Sequence, residues 1–165
     1  IGIKSKMMGQ VNLVRLGRKH LNNGGSITLT TGILADEPVD KTTSAAMVNG
    51  AVESFTKAAA LELTNGLRIN VVSADMVEDA YEKYKDYFPG NTPVPMRKIT
   101  DGYFKSVKGK INGEIIRSNS SFNSVHGKID KKTLKMKLSN QDIINCGTML
   151  YECNIIKNDI LKLKI

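Results

Sequence analysis

The chain has 165 residues, enough for one domain with a substantial core, and its 41% hydrophobic and 24% charged content is ordinary for a soluble globular protein. No apolar run approaches the roughly 18 residues of a membrane span, and no basic-then-apolar leader precedes a small-residue cleavage site, so neither a membrane segment nor export is expected. The net charge of +8 is uneven: residues 118–165 hold eight lysines against four acids, and the other basic residues are scattered among carboxylates with no aromatic stacking surface, which argues for a solvated face over nucleic-acid binding.

Residues 3–22 (IKSKMMGQVNLVRLGRKHLN) place Met8, Val11, Leu13, Val14, Leu16 and Leu21 on a broad apolar face, which predicts a helix. Asn22-Asn23-Gly24-Gly25 ends it, because Asn and Gly accept a left-handed conformation. SITLTTG at 26–32 is β-branched with glycine on both sides and predicts a strand, and ILADEPVDKTT at 33–43 reads as loop. A second helix follows over 44–63, with Ser44 as its cap. Val48, Val52, Phe55 and Ala59 make one apolar row there. Met47, Ala51, Ala58 and Leu61 widen it to most of the circumference, so burial against a sheet and a partner subunit is expected. LRINVVS at 67–73 is a second strand after Asn65-Gly66. VEDAYEKYKDYF at 77–88 is a charged, aromatic helix, and the turn-rich FPGNTPVP separates it from a short helix at 96–107. GEIIR at 113–117 is a third strand candidate.

Strand, helix and strand within about 50 residues form a βαβ unit, which implies a right-handed crossover and a parallel sheet. The fold class is therefore α/β, with a partial parallel sheet flanked by helices over residues 1–117. Residues 118–165 change character: they are rich in Lys, Asn and Ile without a clear period, and read as an appended basic tail with one weak helix near 140–160. Two cysteines, Cys146 and Cys153, cannot make a disulfide framework and suggest a reduced, cytoplasmic setting. His20 and His126 show no ligand spacing to them, so no metal site is expected.

The segments GGSITLTTG, AAMVNGAVESFTKAAALEL and GLRINVVS, continued by VPMRKI and GKINGEIIR, resemble the short-chain dehydrogenase/reductase family over residues 1–117. The resemblance implies a Rossmann-like sheet that binds NAD or NADP and transfers hydride to a carbonyl or from an alcohol. The family's glycine-rich phosphate loop and first strands precede the matching region. Such a loop lets backbone N–H groups and a helix N-terminus hold the pyrophosphate. Gly9 and Gly17 fall inside a helix and Gly24-Gly25 ends one, so none substitutes. With Ile1 in place of a starting methionine, the chain reads as the later part of such an enzyme, its N-terminal half missing.

The resemblance also implies residue roles. A tyrosine transfers the proton, and a lysine four residues on lowers its pKa and holds the nicotinamide ribose; here those positions are Ala45 and Asn49. Ala45 carries no proton, whereas the Asn49 amide keeps hydrogen-bonding ability toward ribose without charge. The family's substrate-holding serine corresponds to Thr31, with a spacing one residue longer; Thr31 reads equally as a β-branched strand residue. A family asparagine in the first helix corresponds to Lys6, whose solvent-facing reading also stands. Ser73 and Ala74 occupy cofactor-facing positions after the second strand, with Asp75 and later Asp79 where the family has Pro-Gly and a threonine. Tyr81 and Lys85 repeat the tyrosine-lysine spacing, but they follow the second strand and read as an exposed amphipathic helix.

Two functions follow. One is a divergent NAD(P)-dependent oxidoreductase acting on a small carbonyl or alcohol; the other is a catalytically inactive scaffold or cofactor sensor. Homo-oligomerisation through helices 3–22 and 44–63 is what the resemblance implies for partners. A third reading is that the basic tail binds an acidic partner or nucleic acid.

Overall fold

The computed structural model describes residues 2–118; residues 119–165, which include almost all of the expected basic tail and its helix near 140–160, lie outside the described residues. Three strands, β1 (Ser26–Gly32), β2 (Arg68–Ala74) and β3 (Ile115–Arg117), form one parallel sheet in that order. The register pairs Ser26 with Arg68 through Gly32 with Ala74, and Val71 with Ile115 through Ser73 with Arg117. The parallel α/β reading of the sequence holds, and helices cover both faces.

Alternation along the strands sorts the core into two layers. Ile27, Leu29, Ile69 and Val71 pack with Val14 of α1 (Met8–Gly17) and with Val52 and Ala59 of α2 (Thr43–Glu62). Val72 and Ile116 face the other way, onto Ile99 and Tyr103 of α4 (Met96–Lys108), with Val94 beside them. Helix α4 reaches the sheet closely at Gly102, where a β-carbon would stand 3.3 Å from Val72. The short α3 (Glu78–Tyr84) lies between β2 and α4 in the chain.

Polar side chains lock the layers at three places. Gln10 of α1 accepts from Thr30 N (2.7 Å) and donates to Thr30 O (3.0 Å), so its amide pairs with the outer edge of β1. Arg68 donates to the carbonyls of Ser106, Val107 and Ile111, which satisfies the last turn of α4 and the loop beyond it. Asn70, fully buried, donates to Ser106 Oγ and Ile111 O and accepts from Glu114 N.

Several sequence expectations need correction. The first helix ends at Gly17 and not at residue 22, because a turn closed by His20 N to Gly17 O ends it. It opens with a π-helical turn, Ile3–Met7, that contains Lys6. Met8 and Leu16 are exposed, as are Met47, Ala58 and Leu61 of α2, so each helix buries a narrower face than composition suggests. Ser44 lies inside α2; Thr42 precedes the helix, and its hydroxyl closes the turn back to Val39 instead of capping it. The loop after β1 contains a 3-10 turn, Ile33–Ala35, and α3 stops at Tyr84 with a 3-10 turn, Lys85–Tyr87, behind it. The third strand begins only at Ile115, since Gly113 (φ 77°) turns the chain into it. Ser118, which composition places with the tail, is buried against β2, donating from N and Oγ to Ser73 O. Among the described residues, no helix is long and apolar enough to cross a membrane.

Candidate functional site

The register brings Thr31, Ser73 and Arg117 into one row across the C-terminal ends of the three strands. All three belong to the face that carries α2, because Thr31 and Arg117 both meet Glu53 of that helix. Thr31 Oγ1 donates to Glu53 Oε1 at 2.9 Å, and Arg117 lies 3.6 Å from Glu53 Oε2. Glu53 sits one turn after Asn49 on the same helical face, and both are buried. Asn49 Nδ2 donates to the carbonyl of Gly32 at 3.2 Å, so Asn49 meets the end of β1 next to Thr31. The two catalytic candidates taken from the resemblance are thus neighbours at the strand ends.

Arg117 reaches further, to the loop after β1. Its Nε and one terminal nitrogen each donate to an Asp36 carboxylate oxygen at 2.7 Å, a bidentate pair. This network of Thr31, Glu53, Arg117 and Asp36 ties the end of β3 to α2 and to the loop that leaves β1.

In front of the row lies a cleft of about 180 Å³, lined by Ile33, Asp36, Glu37, Ser73, Asp75, Arg117 and Ser118. Ser73 is 4% exposed, and its hydroxyl has no hydrogen-bond partner among the described residues. A buried hydroxyl that nothing meets costs about 1–3 kcal/mol, so a group of this kind ordinarily takes a hydrogen bond from water or from another molecule. Asp75 is held by its backbone: its N–H donates to Ser118 Oγ and its carboxylate accepts from Met76 N at 2.7 Å. Ala74 ends β2 beside Gly32.

The two cleft carboxyls that shift do so in opposite directions. The hydrogen bonds from Arg117 hold Asp36 below the ordinary 3.8, although partial burial works against them. Burial pushes Asp75 above 3.8, opposed by the Met76 N–H and aided by nearby Glu37. A lowered carboxyl contributes stability that is complete above its unfolded pKa and is lost as pH falls through its folded pKa. Asp36 thus contributes an acid-side loss below pH 3.8, while Asp75, with a raised pKa, opposes folding as pH rises above 3.8. In denaturant titrations across the acid range, Asp36→Asn is expected to flatten the fall in stability below that pH and Asp75→Asn to leave it in place. An unchanged slope in Asp36→Asn would rule out the Arg117 pair as its source.

Other candidates fall elsewhere. Lys85 donates to Glu82 at 2.7 Å on an exposed turn, Tyr81 is half-buried on α3, and Asp79 is exposed there. Lys6 belongs to the π turn, and its carbonyl accepts from Gln10 Nε2. Among the described residues, no three His, Cys, Asp or Glu side chains group as metal ligands. Glu53, Asp36, Arg117 and Ser118 escaped the sequence reading. Glu53 had a signal: a carboxylate on the row between Asn49 and Thr56 interrupts the apolar face of α2.

Comparison with known proteins adds the lineage. A Listeria innocua protein of known structure, lin1944, is 47% identical, with 70% of this chain and 57% of that one covered at a TM-score of 0.68. A 3-hydroxyacyl-CoA dehydrogenase type-2 from Mycobacterium avium is 25% identical, covering 74% of this chain and 56% of that one at a TM-score of 0.61. A small-chain dehydrogenase solved in complex with NADPH is 27% identical, covering 70% and 58% at a TM-score of 0.60. The chain therefore spans a little over half the length of these proteins. No curated protein matches it. Residues 2–92 match the family described as enoyl-(acyl carrier protein) reductase. That match covers more than half of the sequence, and the parallel sheet agrees with it: the chain belongs to this short-chain dehydrogenase/reductase-like family.

Proposed function

We propose that this chain is the substrate-facing and nicotinamide-facing portion of a divergent NAD(P)-dependent short-chain oxidoreductase. The observation that carries this is the buried Ser73 hydroxyl, without a hydrogen-bond partner among the described residues, in a cleft at the C-terminal ends of parallel strands, where open α/β sheets take ligands.

The residues present fit one end of the dinucleotide. Ser73 Oγ offers a buried partner for an amide or hydroxyl, Asn49 sets its amide at the end of β1, and Ala74 lies beside Gly32 at the strand ends. The phosphate end has no counterpart among the described residues: β1 runs into Gly32 and a 3-10 turn, and β2 into Ala74 and Asp75, neither a glycine turn opening a helix. When bound, the nicotinamide supplies or accepts a hydride equivalent. This chain's part is positioning: Glu53 orients Thr31 and Arg117, and Asn49 anchors the first turns of α2 to β1. The partner reading is a second copy packed on α1 and α2, across a groove of about 200 Å³ that includes Val11, Val14, Phe55 and Leu63.

A second reading, a cofactor-binding scaffold without turnover, is favoured by Ala45 and by the engagement of the Thr31 hydroxyl with Glu53. The test uses the chain alone and the chain extended with the front part of the Listeria innocua protein. Each is titrated with NADH and NADPH by fluorescence, then assayed with aldehydes, ketones and alcohols by nicotinamide absorbance. Saturable binding with turnover is the expected result. Binding without turnover, with activity gained in the double variant Ala45→Tyr, Asn49→Lys, favours the scaffold. No binding by either form removes both readings.

A further inference from the structure

We propose that Thr31 accepts a hydrogen bond from the substrate's hydroxyl, so that this site takes the alcohol of the redox pair in preference to the carbonyl. The inference deepens the oxidoreductase reading above and rests on it.

The first observation is where the Thr31 proton goes. Thr31 Oγ1 donates to Glu53 Oε1 at 2.9 Å, and both residues are buried. Among the described residues this is the one hydrogen bond that the Glu53 carboxylate receives; Arg117 stands 3.6 Å from its other oxygen. Stripping a buried carboxylate of its hydrogen bond is costly, and a bond to an ionised acceptor is of the stronger kind. Glu53 therefore keeps the Thr31 proton, and the hydroxyl has none to offer a ligand.

The second is what Thr31 has left. A threonine oxygen also carries two lone pairs, and among the described residues no group donates to them. They suit a ligand O–H. A carbonyl oxygen brings only lone pairs to meet lone pairs, and a site built to bond a hydroxyl rejects the analogue that lacks it.

The third is place. Thr31 pairs in register with Ser73, which lines the cleft, and neighbouring strands lie about 4.8 Å apart. A ring held at Ser73 and a hydroxyl held at Thr31 are thus neighbours, as hydride transfer between them requires. Reduction of a carbonyl needs a proton donor at oxygen, and Ala45 is not one. Oxidation of an alcohol needs a proton acceptor instead. Its C–H pair leaves as hydride for the oxidised nicotinamide, and its O–H pair becomes the second bond of C=O. The released proton passes to Thr31 Oγ1 as the Thr31 proton passes to Glu53 Oε1.

The test titrates the full 165-residue chain with cyclohexanol and cyclohexanone, a pair matched in size, and follows the Thr31 amide by nuclear magnetic resonance. Cyclohexanol is expected to bind about tenfold more tightly, with Thr31→Ser keeping the preference and Thr31→Val abolishing it. Glu53→Gln is expected to reverse it. Arg117 draws the new amide's oxygen, its NH2 donates to Thr31 Oγ1, and the threonine proton is released toward a carbonyl. Equal or tighter binding of the ketone by the unaltered chain overturns the proposal, as does binding of neither. So does an alcohol preference that survives in Thr31→Val or Glu53→Gln. Where circular dichroism shows Glu53→Gln unfolded, the two threonine variants decide. Methyl β-D-ribofuranoside binding with the same Thr31 dependence also overturns it, since the hydroxyl held would then be the cofactor's ribose. The two readings fail separately: dinucleotide binding without alcohol preference removes this inference alone. Alcohol preference without dinucleotide binding removes the oxidoreductase and the alcohol's role as hydride donor with it.

Discussion

Replacing Leu29 with alanine is expected to lower the unfolding free energy by about 3–5 kcal/mol, the range for emptying a fully enclosed leucine site. Leu29 has no exposed surface and stands in the middle of β1, in the cluster that joins Ile27, Ile69 and Val71 to Val14, Val52 and Ala59. Strands held by ladder bonds on one side and helices packed on the face leave little room to collapse into the cavity. Leu61→Ala supplies the contrast, because that side chain is 89% exposed on α2 and its loss is expected within about 0.5 kcal/mol. Urea unfolding followed by circular dichroism measures both. A Leu29→Ala loss below about 1 kcal/mol would mean that this face of β1 is not packed under α1 and α2 as described.

Asn70→Ala is the second large effect, about 2–3 kcal/mol, and it arises from polar groups. The side chain serves Ser106 Oγ, Ile111 O and Glu114 N from a fully buried position. Two of those partners keep another bond, since Ser106 Oγ also meets Thr28 Oγ1 and Ile111 O also accepts from Arg68. Glu114 N does not, so the loss concentrates where the chain enters β3. Amide exchange reports this directly: protection at Glu114 is expected to fall more than at Leu29, where the ladder is untouched. Equal losses at both would indicate global unfolding in place of a local defect. Because β3 delivers Arg117 and Ser118 to the cleft, the same substitution is expected to loosen the site from behind.

The legible part of this fold was the part written in repeated apolar spacing. SITLTTG and LRINVVS are short and β-branched and each follows a glycine, and both strands emerged within one residue of their expected ends. The breadth of the helical faces was not legible, because Met47, Leu61 and Leu16 are apolar yet point to solvent on this chain; hydropathy alone does not say which side of a helix finds a sheet. The first helix's end at Gly17 was hidden because Leu21 continues the apolar pattern past the turn. Within the site, Thr31, Asn49 and Ser73 could be placed through the family resemblance, and register then set Thr31 beside Ser73. The ion network could not be placed, since Glu53, Asp36 and Arg117 are separated in sequence and only the parallel crossover brings them together. Ser118 was misplaced because its polar neighbours resemble a tail, while its own burial comes from two bonds to a strand that sequence does not reveal.

Gln10 carries a consequence for whatever backbone runs alongside β1. Its amide fills both outward-facing groups of Thr30, as a seventh finger would fill a glove already holding a hand. A neighbouring strand must therefore peel away before that residue, and two parallel strands that diverge leave a wedge between them. On this chain Gln10 thus closes the edge of β1 at Thr30 to any further ladder bond, one residue short of Thr31 at the strand end.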